Sequence, residues 1–213
     1  INPSQYIQAK DRYRKTSHEL RIATPQDNRL RFVGGLFWQD QDHDIQQRYK
    51  IDDLGAQISV SGWEDTIWLT KQLRVDKDFA VFGEFTFDFT DQLSGTIGAR
   101  YFDSDNSLKG FFGYSDGYNG NPAYGEGYCN SLPVPPNTFN GAPCKVFDKT
   151  TTEDGVTPRV NLTYKVTDEA MVYATYSEGF RPGGINRRGT LPPYQADWLT
   201  NYELGWKTTW FDN

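Results

Sequence analysis

The sequence predicts an all-β protein, the wall of an antiparallel transmembrane β-barrel. About seven strands of a larger barrel are expected, forming a curved open sheet with long extracellular loops. Three observations carry this prediction. Apolar and polar residues alternate with period two through most of the 213 residues, the mark of strands with unlike faces. Tight turns and long connections follow one another in strict alternation, so all the short turns fall at one end. The mean hydropathy is −0.71. The longest uninterrupted apolar run is Ala170 to Ala174, whereas a membrane-spanning helix needs about 20 such residues.

Seven strands are placed in order near residues 15–23, 30–40, 66–89, 93–103, 156–166, 170–180 and 198–210. Alternation is clearest in three. In the third strand Phe79, Val81, Phe85, Phe87 and Phe89 line one side, while Phe82, Glu84, Thr86 and Asp88 occupy the other. The fifth sets Val156, Pro158, Val160, Leu162, Tyr164 and Val166 against Thr157, Arg159, Asn161, Thr163 and Lys165. The seventh sets Trp198, Tyr202, Leu204, Trp206 and Trp210 against Asn201, Glu203, Lys207 and Thr209. Tight turns are read at Thr24 to Asn28, at Thr90-Asp91-Gln92, at Thr167-Asp168-Glu169 and at Phe211-Asp212-Asn213. Long connections run over 41–65, 104–155 and 181–197.

Charge and composition exclude several functions. Acidic side chains outnumber basic ones by 28 to 22 and the net charge is −6, which argues against a nucleic-acid partner. With 14 Phe, 13 Tyr and 6 Trp the chain is too rich in packing residues for a disordered segment. One Met and two His leave little for a Met-lined groove or a His-rich metal centre. The chain starts at Ile1 without a basic or apolar leader, so no targeting segment is visible and the N-terminus is expected to be missing. Cys129 and Cys144, even in number and close in sequence, suit one bridge in an oxidising compartment, with two unpaired thiols as the alternative.

Four strings carry a family resemblance: SHELRIATPQDNRLRFVGGLFW (17–38), FAVFGEFTFDFTDQLSGTIGARY (79–101), VTPRVNLTYKVTDEAMVYATYSEGFRPGGINR (156–187) and YELGWKTTWFDN (202–213). In content and order they resemble the barrel of TonB-dependent outer-membrane receptors. The resemblance implies a barrel of about 22 strands around an N-terminal plug domain. It also implies location in the bacterial outer membrane and import of a scarce nutrient, most often a ferric siderophore. Energy would come from the TonB complex, through an N-terminal box that has no counterpart here. The chain is therefore expected to be a fragment of the barrel domain, without plug or remaining strands.

Candidate functional residues follow from the loops and the polar face. Segment 104–155 carries Tyr114, Tyr118 and Tyr124 among many glycines, and amphipathic rings can stack on a ligand or hydrogen-bond through their tips. A bridge between Cys129 and Cys144 would restrain that loop by about 3 kcal/mol in the chain-entropy view. The next loop adds Arg181, Arg187 and Arg188, whose forked donors suit carboxylate or phosphate on a ligand or on lipopolysaccharide; solvated arginines are the plainer alternative. Glu84, Arg100, Arg159, Glu203 and Lys207 would point into the lumen, lining a channel or pairing with a plug.

Two motifs point elsewhere and are weak. GYSDG (113–117) matches the G-x-S-x-G elbow of serine hydrolases, but both histidines, His18 and His43, lie upstream and the flanks are Gly- and Tyr-rich. DQDHD (40–44) resembles a calcium loop, but Ile45 and Ile51 stand where Gly and Glu are needed; a solvated acidic rim is expected. No catalytic residue, cofactor or metal site is assigned. The alternative of a different class is a soluble β-sandwich that binds carbohydrate through aromatic loops. It requires Phe85, Phe87, Val160 and Leu162 to pack against a second sheet.

Overall fold

The computed structural model describes residues 5–133, 138–188 and 190–210. Seven strands are present: β1 (Gln5–Ala23), β2 (Leu30–Ile51), β3 (Thr66–Asp88), β4 (Leu93–Tyr114), β5 (Phe147–Thr167), β6 (Ala170–Arg181) and β7 (Asp197–Thr208). They form one antiparallel sheet in which spatial order is sequence order. Among the described residues β1 pairs only with β2 and β7 only with β6, so the sheet is open at both edges.

Register makes the two faces. One row runs Phe32, Phe85, Ile97, Val160, Tyr176, Tyr202 across β2 to β7. One residue along each strand, the next row reads Val33, Glu84, Gly98, Arg159, Ser177, Asn201. Because side chains alternate across a strand, the first row belongs to an apolar face and the second to a polar one. Among the described residues no second layer covers the apolar face: Phe85 is 51% exposed and Leu162 49%. The β-sandwich alternative fails on this point, since a sandwich buries such residues between two sheets. On β3 the apolar run from Phe79 to Phe87 matches the 9–11 residues with which a tilted strand crosses hydrocarbon.

The strands are longer than hydropathy alone placed them. β1 starts at Gln5 rather than near 15, β2 runs on to Ile51, β4 to Tyr114, and β5 begins at Phe147. Just beyond the apolar band, over 39–44 and 103–107, both faces are polar, so the ladder continues where the period-two signal has vanished. Gln39, Gln41 and His43 keep their partners Asp78, Asp76 and Arg74 on β3 throughout this stretch. The tight connections 24–29, 89–92 and 168–169 share one end of the sheet, and the long ones, 52–65, 115–146 and 182–196, share the other. The turn read at Phe211-Asp212-Asn213 lies outside the described residues.

The DQDHD motif lies on the same extension, just beyond the apolar band where the strand leaves it. It is mid-strand and not in a loop, and its members part to opposite faces. Asp40, Asp42 and Asp44 face Lys77 at 3.9 Å, Arg14 at 3.6 Å and Lys71 at 2.7 Å. His43, on the other face, stacks on Tyr13 with ring centroids 3.8 Å apart. Carboxylates held apart on one strand and each met by a cation make a surface ladder, not a coordination cage.

Candidate functional site

The long-loop end is packed. Val60, Leu108, Phe111, Phe112, Cys129, Ala142, Cys144, Phe147 and Ile185 form a buried cluster there, drawing on all three long connections and on β4 and β5. Segment 115–146 holds a short helix, α1 (Gly125–Ser131), and Cys129 is joined to Cys144. The helix was not foreseen. Its first turn supplies Glu126, 6% exposed, whose carboxylate accepts the Ser61 N–H at 2.6 Å and the Asp116 N–H at 2.9 Å. One side chain thus ties two loops together. Trp63 adds a second tie, donating Nε1–H to the Gly141 carbonyl at 2.8 Å.

The GYSDG motif serves this packing. Ser115 is fully buried and its hydroxyl donates to the Ile58 carbonyl at 2.6 Å. A Cβ on Gly117 would stand 1.8 Å from the Gln57 carbonyl oxygen, so only glycine allows the two loops to approach so closely. The serine is held as a loop fastener and not presented at the top of a strand-to-helix elbow.

Beside this cluster lies a cavity of about 490 Å³, lined by Tyr6, Tyr49, Lys50, Trp68, Tyr114, Tyr118 and Arg188 among others. Its aromatic wall is set by register: Tyr49, Trp68 and Tyr114 are ladder partners across β2, β3 and β4 on the polar face. Trp68 sits edge-on to Tyr114, centroids 4.7 Å apart, and Tyr118 lies 5.0 Å from Tyr114. Lys50 Nζ stands 5.5 Å over the Tyr6 ring. Lys50 is also paired with Asp65 at 3.9 Å, which leaves Arg188 as the cation open to a ligand. Rings with polar tips beside such a cation can hold an anionic, partly apolar molecule through stacking, hydrogen bonds and charge.

The six loop residues singled out from sequence do not all converge. Tyr114, Tyr118 and Arg188 line this cavity. Tyr114 is the last residue of β4 and not a loop residue. Tyr124 stands just behind, 6.2 Å from Trp68 and stacked on Phe112. Arg187 is held by its backbone, its carbonyl accepting from Gln72 Nε2 at 2.9 Å. Arg181 lies apart, at the end of β6, paired with Asp197 at the start of β7. Tyr6, Tyr49, Lys50 and Trp68 were missed. Trp68 falls within the strand predicted at 66–89, whose apolar lining was counted only from Phe79 onward, while Tyr49 and Lys50 sat in a stretch read as loop.

Glu84, Arg100, Arg159, Glu203 and Lys207 all lie on the polar face of the sheet. Glu84 meets Arg159 at 3.0 Å across β4, where the intervening Gly98 leaves room. Arg100 lies 5.3 Å over the Phe37 ring, and Glu203 accepts from the Tyr173 hydroxyl at 2.6 Å while Lys207 lies 5.7 Å over that ring. Among the described residues no group of three or more His, Cys, Asp or Glu is placed to hold a metal ion.

Comparison with known proteins agrees with this architecture. The sequence model of the family described as "TonB dependent receptor-like, beta-barrel" matches residues 2–213. A pesticin receptor of Yersinia enterocolitica is 23% identical over 207 residues, covering 95% of this chain and 25% of the relative. The crystal structure of the ferric yersiniabactin uptake receptor FyuA from Yersinia pestis has a TM-score of 0.72 at 19% identity. That match covers 97% of this chain and 28% of the other. The chain thus spans about a quarter of the length of either.

Proposed function

Because the chain belongs to the TonB dependent receptor-like β-barrel family, we propose that it forms part of the wall of an energy-coupled outer-membrane receptor. That receptor imports a scarce nutrient, with a ferric siderophore as its ligand. The observation that carries this reading is the pairing of a bare apolar band with an aromatic, cation-bearing cavity at the long-loop end of the same sheet. A band of exposed Phe, Val and Leu side chains is stable against lipid and not against water. The names of the two relatives, a pesticin receptor and a ferric yersiniabactin uptake receptor, support the ligand class.

The cavity does the capturing. Tyr114, Tyr118 and Trp68 offer ring faces to a ligand's aromatic or apolar parts, while Arg188 neutralises its carboxylate or phenolate groups. Tyr124 supports the wall from behind. Lower on the polar face, Glu84, Arg100, Arg159, Glu203 and Lys207 line the lumen and meet the protein's own plug domain. Release needs no bond making or breaking: the plug is rearranged by a pull from the TonB complex. Lipid and lipopolysaccharide surround the outer face.

The test is uptake by the full-length receptor in a bacterial strain lacking its own siderophore receptors, using radio-iron-labelled ferric phenolate and ferric catecholate siderophores. Uptake of at least one is expected, with Arg188→Gln and Tyr114→Ala each weakening apparent affinity about tenfold, the worth of one charged or stacking contact. Transport of cobalamin or an oligosaccharide and of neither ferric complex would overturn the ligand class. Wild-type affinity in both variants would remove the cavity from the path.

A further inference from the structure

In the long connection after β6, residues 183–187 lie along the polar face of the sheet. Their backbone is held there by side chains from three strands. The Gly183 N–H donates to Glu153 Oε2 of β5 at 2.9 Å, the Ile185 N–H to Asn106 Oδ1 of β4 at 2.9 Å, and the Arg187 carbonyl accepts from Gln72 Nε2 of β3 at 2.9 Å. Asn106 is itself oriented by Asp76, to which its amide donates, and Asp76 by Arg74 at 2.9 Å. Gly184 and Tyr194 exchange backbone hydrogen bonds at 3.0 and 2.9 Å, closing the segment into a narrow loop. Ile185, 3% exposed, belongs to the same buried cluster as Leu108.

From these contacts we infer that Glu153, Asn106 and Gln72 are positioning residues: they seat 183–187 as a strap along the wall and thereby present Arg188 to the cavity. Three wall residues on three strands, each spending a side-chain bond on one segment's backbone, make the seat specific in register. The step from Ile185 to Arg188 is three residues, so fixing the backbone at 183, 185 and 187 fixes where the Arg188 guanidinium can reach. Arg187, seated by the same bonds, acts electrostatically on His43 together with Arg74 and so adds positive charge to the same side. An anionic ligand then meets a cation whose position is set in advance, which lowers the ordering cost of binding. When the strap lifts, Arg188 leaves with it, and ligand capture and strap seating are one coupled equilibrium.

The inference rests on the cavity as the ligand site, yet it is tested without ligand. Because the backbone is held at 183, 185 and 187, trypsin is expected to cleave after Arg187 and Arg188 much faster when the strap opens. Cleavage rate, read by mass spectrometry on the full-length receptor in outer-membrane vesicles, therefore tracks opening. Glu153→Ala and Asn106→Ala are expected to speed cleavage there about tenfold or more, each removing an acceptor from a backbone N–H. Glu153→Gln, which keeps an acceptor for the Gly183 N–H, is expected to cleave at nearly the wild-type rate. A spin label on Arg188→Cys should be immobilised in the otherwise native receptor and mobile when Glu153→Ala or Asn106→Ala is added. Equal cleavage in wild type and both alanine variants, equal speed in Glu153→Gln and Glu153→Ala, or a label already mobile in the native background would each overturn the inference. Loss of ligand specificity alone, with the strap still protected, counts against the transport reading and leaves the seat standing.

Discussion

Glu126 shows how much one side chain holds at this end of the molecule. A carboxylate 6% exposed needs hydrogen-bond donors in place of water, and here two backbone N–H groups from separate loops supply them. Removing it leaves both part-buried amides without their acceptor, and an unsatisfied donor costs about 1–3 kcal/mol when buried. Glu126→Ala is therefore expected to speed hydrogen exchange at the Ser61 and Asp116 amides at least tenfold, with a smaller effect for Glu126→Gln, measured by exchange on the full-length receptor. Ser115→Ala, which deletes one neutral bond to the Ile58 carbonyl, should cost about 1 kcal/mol and loosen 52–65 alone. A local pattern could flag Ser115 as unusual but not say why. Its partner, and the oxygen that forbids a Cβ on Gly117, come from a loop more than fifty residues upstream, and such long-range approach leaves no local signature.

Single strands obey two different masters along their length. Inside the apolar band lipid demands grease on one face, so Phe79 to Phe87 and Val156 to Val166 could be read off directly, faces included. Above it the ladder persists without that demand, and the boundaries near 40, 103 and 156 were missed by about ten residues each. The faces differ accordingly in tolerance. Phe85→Arg, in the band, is expected to destabilise the folded barrel by about 2–4 kcal/mol and Thr86→Arg, its neighbour on the polar face, by far less, as read from urea unfolding in lipid vesicles. Close packing between strands is a separate constraint. A Cβ at Gly35 would lie 2.2 Å from the Leu20 carbonyl oxygen, so Gly35→Val should part β1 from β2 and expose the amides of that pair to exchange.

At the scale of the whole molecule two features dominate, an uncovered apolar face and two unpaired edges. β1, exposed along its whole length, and β7 each offer a row of free N–H and C=O groups, a template for pairing with any other strand. The 213-residue chain expressed alone is accordingly expected to be insoluble or polydisperse without detergent, by sedimentation. A monodisperse 24.4 kDa species in plain buffer would be incompatible with a lipid-facing band. The upward continuation of the strands has an immunological consequence. Where β2 and β4 stand clear of the bilayer, residues 41–51 and 104–114 are locked in a ladder and show an antibody only alternate side chains from neighbouring strands. Sera raised against linear peptides of those stretches should bind the denatured chain on a blot and fail to stain intact bacteria, whereas antibodies to the folded receptor should do the reverse.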